Sequence, residues 1–191
     1  MKAFSLIELL IVIAIMAIMV SLAIPAINGV AQGSGVTRAG QTIGDMIILG
    51  RQEAVSKNRD VEVRIVSVPP SQSTGEGGLM AIQLWELTDT SARPLSKIGR
   101  LPQGITISSN ITLSPLLKAD NSVANTTNFG GLGNCEYMGF KIRANGMLSS
   151  TVTMNNNFLT VGMVSDKDVP PANYYTIRVN PVTGRVNIYR P

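Results

Sequence analysis

The chain begins Met1-Lys-Ala-Phe-Ser-Leu-Ile-Glu-Leu-Leu-Ile-Val-Ile-Ala-Ile-Met-Ala-Ile-Met-Val-Ser-Leu-Ala-Ile-Pro-Ala-Ile27, and the reading of that stretch decides the rest. Leu9 to Val20 is unbroken apolar sequence, and only Ser5, Glu8, Ser21 and Pro25 interrupt the wider window Phe4–Ile27. As a helix the window rises about 36 Å, enough to cross a hydrocarbon core of about 30 Å. One carboxylate, Glu8, falls near its start. A charge at the bilayer centre costs about 2.5–3.5 kcal/mol and less toward the interface, so an acid here marks a function. A cut after Ala3 makes Phe4 the new amino terminus, with an α-amine largely protonated near neutral pH. The amine of one subunit and the Glu8 carboxylate of an axially shifted neighbour can then neutralise each other in a low-dielectric setting, which gives a physical reason for assembly in register.

An ordinary secretory signal also has a positive start, an apolar core and a cut among small residues. Ser21-Leu22-Ala23 and Gly29-Val30-Ala31 fit such a site. Glu8 inside the core and the three-residue leader argue against that pattern; a plain uncut anchor is the third reading. The mature first residue separates the three readings: Phe4, then Ile24 or Gln32, or Met1.

Lys2, Ala3, Phe4, the string Phe-Ser-Leu-Ile-Glu-Leu-Leu-Ile-Val and Pro25 resemble the class III leader of type IV pilins and type II secretion pseudopilins. These families usually carry Gly before the cut, where this chain has Ala3. The resemblance implies cleavage between Ala3 and Phe4 by a prepilin peptidase, N-methylation of Phe4, and Glu8 paired with Phe4 in assembly.

Pro25 removes one backbone bond inside a helical pattern and is expected to kink the helix rather than end it. The apolar period resumes beyond it at Val36, Ala39, Ile43, Met46/Ile47, Gly50 and Ala54, with Thr37, Arg38, Gln41, Asp45, Arg51 and Gln52 between. The helix is thus expected to turn from apolar all round to amphipathic, and to close at Lys57-Asn58-Arg59 with Asn58 as its cap. Glycines along this half weaken it, which suits a segment that bends or melts on assembly. The expected organisation is a leader over 1–3, a transmembrane or filament-core half over 4–27, an amphipathic half over 28–58, and a β-rich domain over 59–191.

After Asp60 the period becomes two. Val61, Val63 and Ile65 alternate with Glu62 and Arg64 as a half-buried strand. Further strands are expected at Leu79–Leu87 with the one tryptophan, Trp85, as a packing aromatic, and at Arg93–Ile98, Gly104–Leu113, Tyr137–Arg143, Met147–Met154, Phe158–Val164, Tyr174–Asn180 and Arg185–Arg190. Pro69–Gly78 and Ser114–Glu136 read as loops, Asn145-Gly146 and Pro181–Gly184 as turns. The run Gly50–Val63, with its Arg-x-Glu-Ala and Asn-Arg, together with Phe140 ahead of the Gly146 turn, resembles the helix-to-strand junction and a later motif of the GspH/FimT group of minor pseudopilins and minor pilins. The fold class expected is α+β: a long amino-terminal helix packed on an antiparallel β-sandwich, pilin-like.

Composition bounds the chemistry. The chain has no histidine, which removes His-based triads and metal sites, and one cysteine, Cys135, which excludes an internal disulfide and reads as a buried thiol. Net charge is +4, too mild to mark a nucleic-acid binder. Asp166 and Asp168 are a weak calcium candidate without a third carboxylate, so no metal and no cofactor is expected, and no carboxylate motif points to an enzyme. Arg178, Arg185 and Arg190 gather in the terminal hairpin. The resemblance includes members that bind DNA during uptake through carboxy-terminal arginines, a salt-sensitive and sequence-blind contact; an ordinary edge-protecting sheet face is the other reading. By the positive-inside tendency Lys2 is expected to leave the amino terminus in the cytoplasm and the bulk of the chain on the far side of the membrane, which the resemblance implies is the periplasm. The expected partners are other pilin or pseudopilin subunits, the prepilin peptidase and an inner-membrane assembly platform.

Overall fold

The computed structural model describes residues 5–73, 76–120, 125–166 and 169–190, and for 22–32 the backbone alone. One helix, α1, runs over Leu6–Lys57 and passes through Pro25 without ending. Among the described residues ten strands follow: β1 (Val61–Val68), β2 (Gly78–Leu87), β3 (Ala92–Pro94), β4 (Gly99–Arg100), β5 (Ile105–Ile107), β6 (Asn125–Asn128), β7 (Asn134–Ile142), β8 (Phe158–Met163), β9 (Tyr174–Val179) and β10 (Val186–Tyr189). The chain divides into two compact units, Met1–Ser34 and Gly35–Pro191.

In the second unit the helix over 35–57 packs on the strands. Val36, Ala39, Ile43, Ile47 and Ala54 are fully buried, as the 3–4 spacing predicts, and join β1, β2, β5, β7, β8 and β9 in one apolar core. The helix ends in a Schellman motif: Asn58 takes φ +50°, its N–H donates to Val55 O and the Arg59 N–H donates to Ala54 O. The Glu86 carboxylate, 1% exposed, then fastens this end to β2. Lys57 Nζ, Arg59 Nε and Arg93 Nη2 approach it at 4.0, 3.4 and 3.0 Å.

Every described ladder is antiparallel, in the order β10-β9-β8-β5-β2-β1-β7-β6, with β3 and β4 also paired to β2. The α+β expectation holds. Where a sandwich would separate two sheets, here β2 and β5 meet at a single residue pair, Leu79 opposite Ile107, which makes the ladder continuous.

Several local expectations need correction. Of the strand expected over Arg93–Ile98 only β3, Ala92–Pro94, forms, and of that expected over Gly104–Leu113 only β5, Ile105–Ile107. β1 is buried on both faces, not half-buried: Glu62 and Arg64 are 4% and 5% exposed, because a second, smaller core of Val66, Ala81, Trp85, Phe129, Leu132, Cys135 and Tyr137 covers that side. The stretch Ser114–Glu136 is no plain loop. It contributes 3-10 turns at Pro115–Lys118 and Gly130–Leu132, strand β6, and the buried side chains of Leu116, Leu117 and Phe129. Met147–Met154 forms one isolated bridge, Ile142 to Leu148, instead of a strand. Its hydroxyls bond elsewhere: Ser149 Oγ and Thr151 Oγ1 both donate to Asp120 Oδ1, whose other oxygen accepts the Lys141 N–H at 2.7 Å. Such side chains offer the backbone an alternative to a ladder.

Candidate functional site

The amino-terminal helix carries the site the sequence singled out. Ala3 and Phe4 lie outside the described residues. Ser5 stands just before the first helical residue, and its carbonyl accepts the Leu9 N–H at 3.2 Å, the first bond of the helix. Glu8, three residues on, turns its carboxylate back and accepts the Ser5 N–H at 3.1 Å. That is half of a capping box: the acid satisfies a donor with no intrahelical partner and complements the positive end of the helix dipole. Sequence reasoning treated Glu8 as a charge in need of an outside partner and missed this inside one, although the Ser-x-x-Glu spacing carries it. The Glu8 side chain is exposed, so the carboxylate that accepts the Ser5 N–H is also accessible from outside the helix.

Beyond the cap the surface is uniformly apolar. From Leu6 to Val20 every large side chain is exposed, including Leu9, Ile13, Met16 and Met19, and Ser21 Oγ donates to its own helix at Ile18 O, 2.8 Å away. A helix hydrophobic all round is stable only when something covers it. Among the described residues no helix is long and apolar enough to cross a membrane. Of the expected window 4–27, side chains are described for 5–21 alone.

The other candidate residues do not form a second site. The three arginines are not brought onto one face. Arg178 pairs across β10 with Asn187, between the helix-side residues Ile177 and Val179, and so points away from the helix. Its guanidinium donates to Asn157 Oδ1 at 3.1 Å and Met154 O at 2.9 Å. Arg190 lies over the ring of Tyr175, 5.5 Å from its centroid, and Tyr175 packs on Gly40 of the helix. Arg185 sits in the exposed turn between the strands. Asp166 Oδ2 accepts the Ala172 N–H at 2.6 Å and so ties its own loop; Asp168 lies outside the described residues. Among the described residues no three His, Cys, Asp or Glu side chains stand together as a metal site. Cys135 is buried, its thiol donating to Leu132 O at 3.4 Å.

What sequence reasoning left unseen is the charge buried on the outer face of β1. Arg64 lies between the rings of Trp85 and Tyr137, 4.1 and 4.3 Å from their centroids, and pairs with Glu62. Burial first, and then the Glu62 carboxylate, push the Tyr137 hydroxyl above the ordinary tyrosine value of 10.0, while Arg64 pulls the other way.

Residues 1–24 match the prokaryotic N-terminal methylation motif. The fold is similar to two structures of the minor pseudopilin EpsH from the type II secretion system of Vibrio cholerae. One superposes with a TM-score of 0.51 at 12% identity, covering 83% of this chain and 96% of that one. The other gives 0.48 at 11% identity, covering 82% and 97%. No curated protein matches the chain.

Proposed function

We propose that this chain, which joins an N-terminal methylation motif to a type IV pilin-like, minor pseudopilin fold, is a structural subunit of a short filament of the type II secretion kind or a related type IV system. The observation that carries the reading is a helix with a carboxylate at its cap and an apolar surface all the way round the next three turns, on the very residues the motif matches. The subunit waits in the inner membrane on residues 4–27, with Lys2 on the cytoplasmic side and the β domain in the periplasm. A prepilin peptidase cuts between Ala3 and Phe4 and the Phe4 amine is methylated. An assembly platform then lifts the subunit from the bilayer, and neighbouring helices replace lipid as the cover for the side chains from Leu6 to Val20. Glu8 exchanges the Ser5 N–H for the Phe4 amine of the adjoining subunit, and that charge pair sets the axial register. The role is structural, not catalytic.

Replacement of Glu8 by leucine tests the step. The Glu8→Leu chain should reach the membrane and be cut at the same place, yet be absent from sheared or overexpressed filaments in which the wild-type chain is found. Filaments that take up Glu8→Leu as readily as wild type would contradict the pairing.

A further inference from the structure

The outer face of the sheet holds a trough that the filament reading leaves unused. Its floor is Gln83 and Trp85 of β2. Pro94 and Ile98 form one wall, and the turn from Phe129 to Leu132 forms the other, around about 650 Å³. The lining is mostly apolar, with Gln83 in the floor and Asn128 beside the turn as neutral polar members; at the rim Lys97 and Arg100 stand exposed and no carboxylate joins them. No ion pair among the described residues uses either cation. Arg100 Nη1 makes one long bond of 3.4 Å to Gln72 O, a neutral acceptor. A Cβ built at Gly131 meets nothing within 4 Å, so that wall is not filled from its own side.

The lining also decides what fits. A nucleic-acid base needs an aromatic face to stack on. Trp85 has little to give, being 8% exposed, with Arg64 over its ring and Phe129 edge-on at 5.9 Å. Two cations are also too few to follow a phosphate backbone. A small inorganic anion would meet the cations and leave the apolar walls wet. Carboxylates joined by apolar side chains satisfy both parts, since guanidinium and ammonium groups donate to carboxylates through short, charge-assisted bonds. Lys97 and Arg100 are three residues apart, so their Cα atoms lie within about 11 Å. Acidic residues two apart in an extended peptide, about 6.6 Å, fall within that reach.

We propose that this trough is a binding site for an extended acidic peptide segment of a partner protein, with carboxylates on Lys97 and Arg100 and apolar side chains against the accessible Pro94 and Ile98. The site stands on the β domain alone and does not depend on how the helix assembles.

Trp85 is the only tryptophan of the chain and lies in the floor, so its emission reports occupancy. The full chain in neutral detergent micelles is titrated at low salt with the blocked peptide acetyl-Ser-Glu-Leu-Glu-Leu-Ser-amide, and with the same peptide carrying Lys at both Glu positions. The proposal expects a saturable emission change with the acidic peptide below about 1 mM, about tenfold weaker in Lys97→Glu/Arg100→Glu and weaker in high salt, and none with the lysine peptide. Both cations are exposed, so the double variant should melt as wild type does. Lys97→Gln/Arg100→Gln, which adds no new charge, should fall between the two. An absent or unsaturable change, an equal response to the lysine peptide, or unaltered affinity in both variants would overturn the proposal.

Discussion

Arg64 Nε donates to Glu62 Oε2 at 2.6 Å on the face of β1 turned away from the helix, and both side chains are nearly sealed from solvent. Residues two apart on a strand share a face, so the pair is built by the strand itself. Trp85 and Tyr137, on the strands at either side, close over the guanidinium. Breaking such a pair leaves one uncompensated buried charge, which costs about 3–5 kcal/mol, whereas replacing both partners with apolar groups of similar volume is often neutral. Glu62→Leu and Arg64→Met should therefore each lower the unfolding free energy of the β domain by several kcal/mol. The double variant should recover most of the loss in a double-mutant cycle. Additive losses in the double variant would show that the pair is not coupled.

The same cluster sets an alkaline limit on stability. The folded chain holds the Tyr137 proton to a higher pH than the unfolded chain does, because burial and Glu62 disfavour the phenolate. Between the ordinary value of 10.0 and the raised folded value the unfolded state binds fewer protons, so stability is full below the ordinary value and falls as pH rises past it. Tyr137→Phe should flatten that fall. Urea midpoints measured from neutral pH to above 10 check this, with a slope unchanged by Tyr137→Phe as the contrary result.

At the helix end, Asn58 holds φ +50°, a conformation in which a side chain with a Cβ meets the following carbonyl. Asn58→Gly should be neutral or slightly stabilising, and Asn58→Val should lose about 1–2 kcal/mol, more than an exposed residue otherwise would. Thermal melts of the three chains rank them.

Two glycines of α1 should answer in opposite directions to the same change. A Cβ at Gly44 comes within 3.1 Å of Ile188 Cδ1, the tip of a side chain 40% exposed and free to swing. A Cβ at Gly50 meets Leu84 Cδ2 at 3.1 Å and Ile142 Cδ1 at 3.4 Å, both locked in the core. Gly44→Ala should gain up to about 1 kcal/mol in helix propensity, while Gly50→Ala should lose about as much to overpacking. A gain in both would mean that the helix-to-sheet contact at Gly50 is looser than its geometry.

This contrast also bears on what could be read from the sequence. The helix, its buried stripe from Val36 to Ala54 and its Asn58 cap were legible because a 3–4 period and a cap residue are local signals. So were β1, β2, β7, β8, β9 and the terminal hairpin, each marked by alternation or a turn. The glycines were read as points of weakness, yet Gly40, Gly44 and Gly50 face Tyr175, Ile188 and Leu84, which only the fold brings near. The burial of Glu62 and Arg64 was hidden for the same reason. Alternation marks a charged face as solvent-facing, and what covers it comes from far along the chain: Tyr137 of β7, and Phe129 and Leu132 from a stretch with no period of its own. The three arginines shared a hairpin in sequence, but strand parity sends Arg178 and Arg190 to opposite sides of the sheet.

The account rests on a new amino terminus at Phe4, for without it Glu8 has no amine to meet in a neighbour. Intact-mass and tandem mass spectrometry of the chain recovered from assembled filaments tests this most directly. The account predicts a chain beginning at Phe4 with one added methyl group on its α-nitrogen. A chain that still begins at Met1, or one that begins at Ile24 or Gln32, would contradict it.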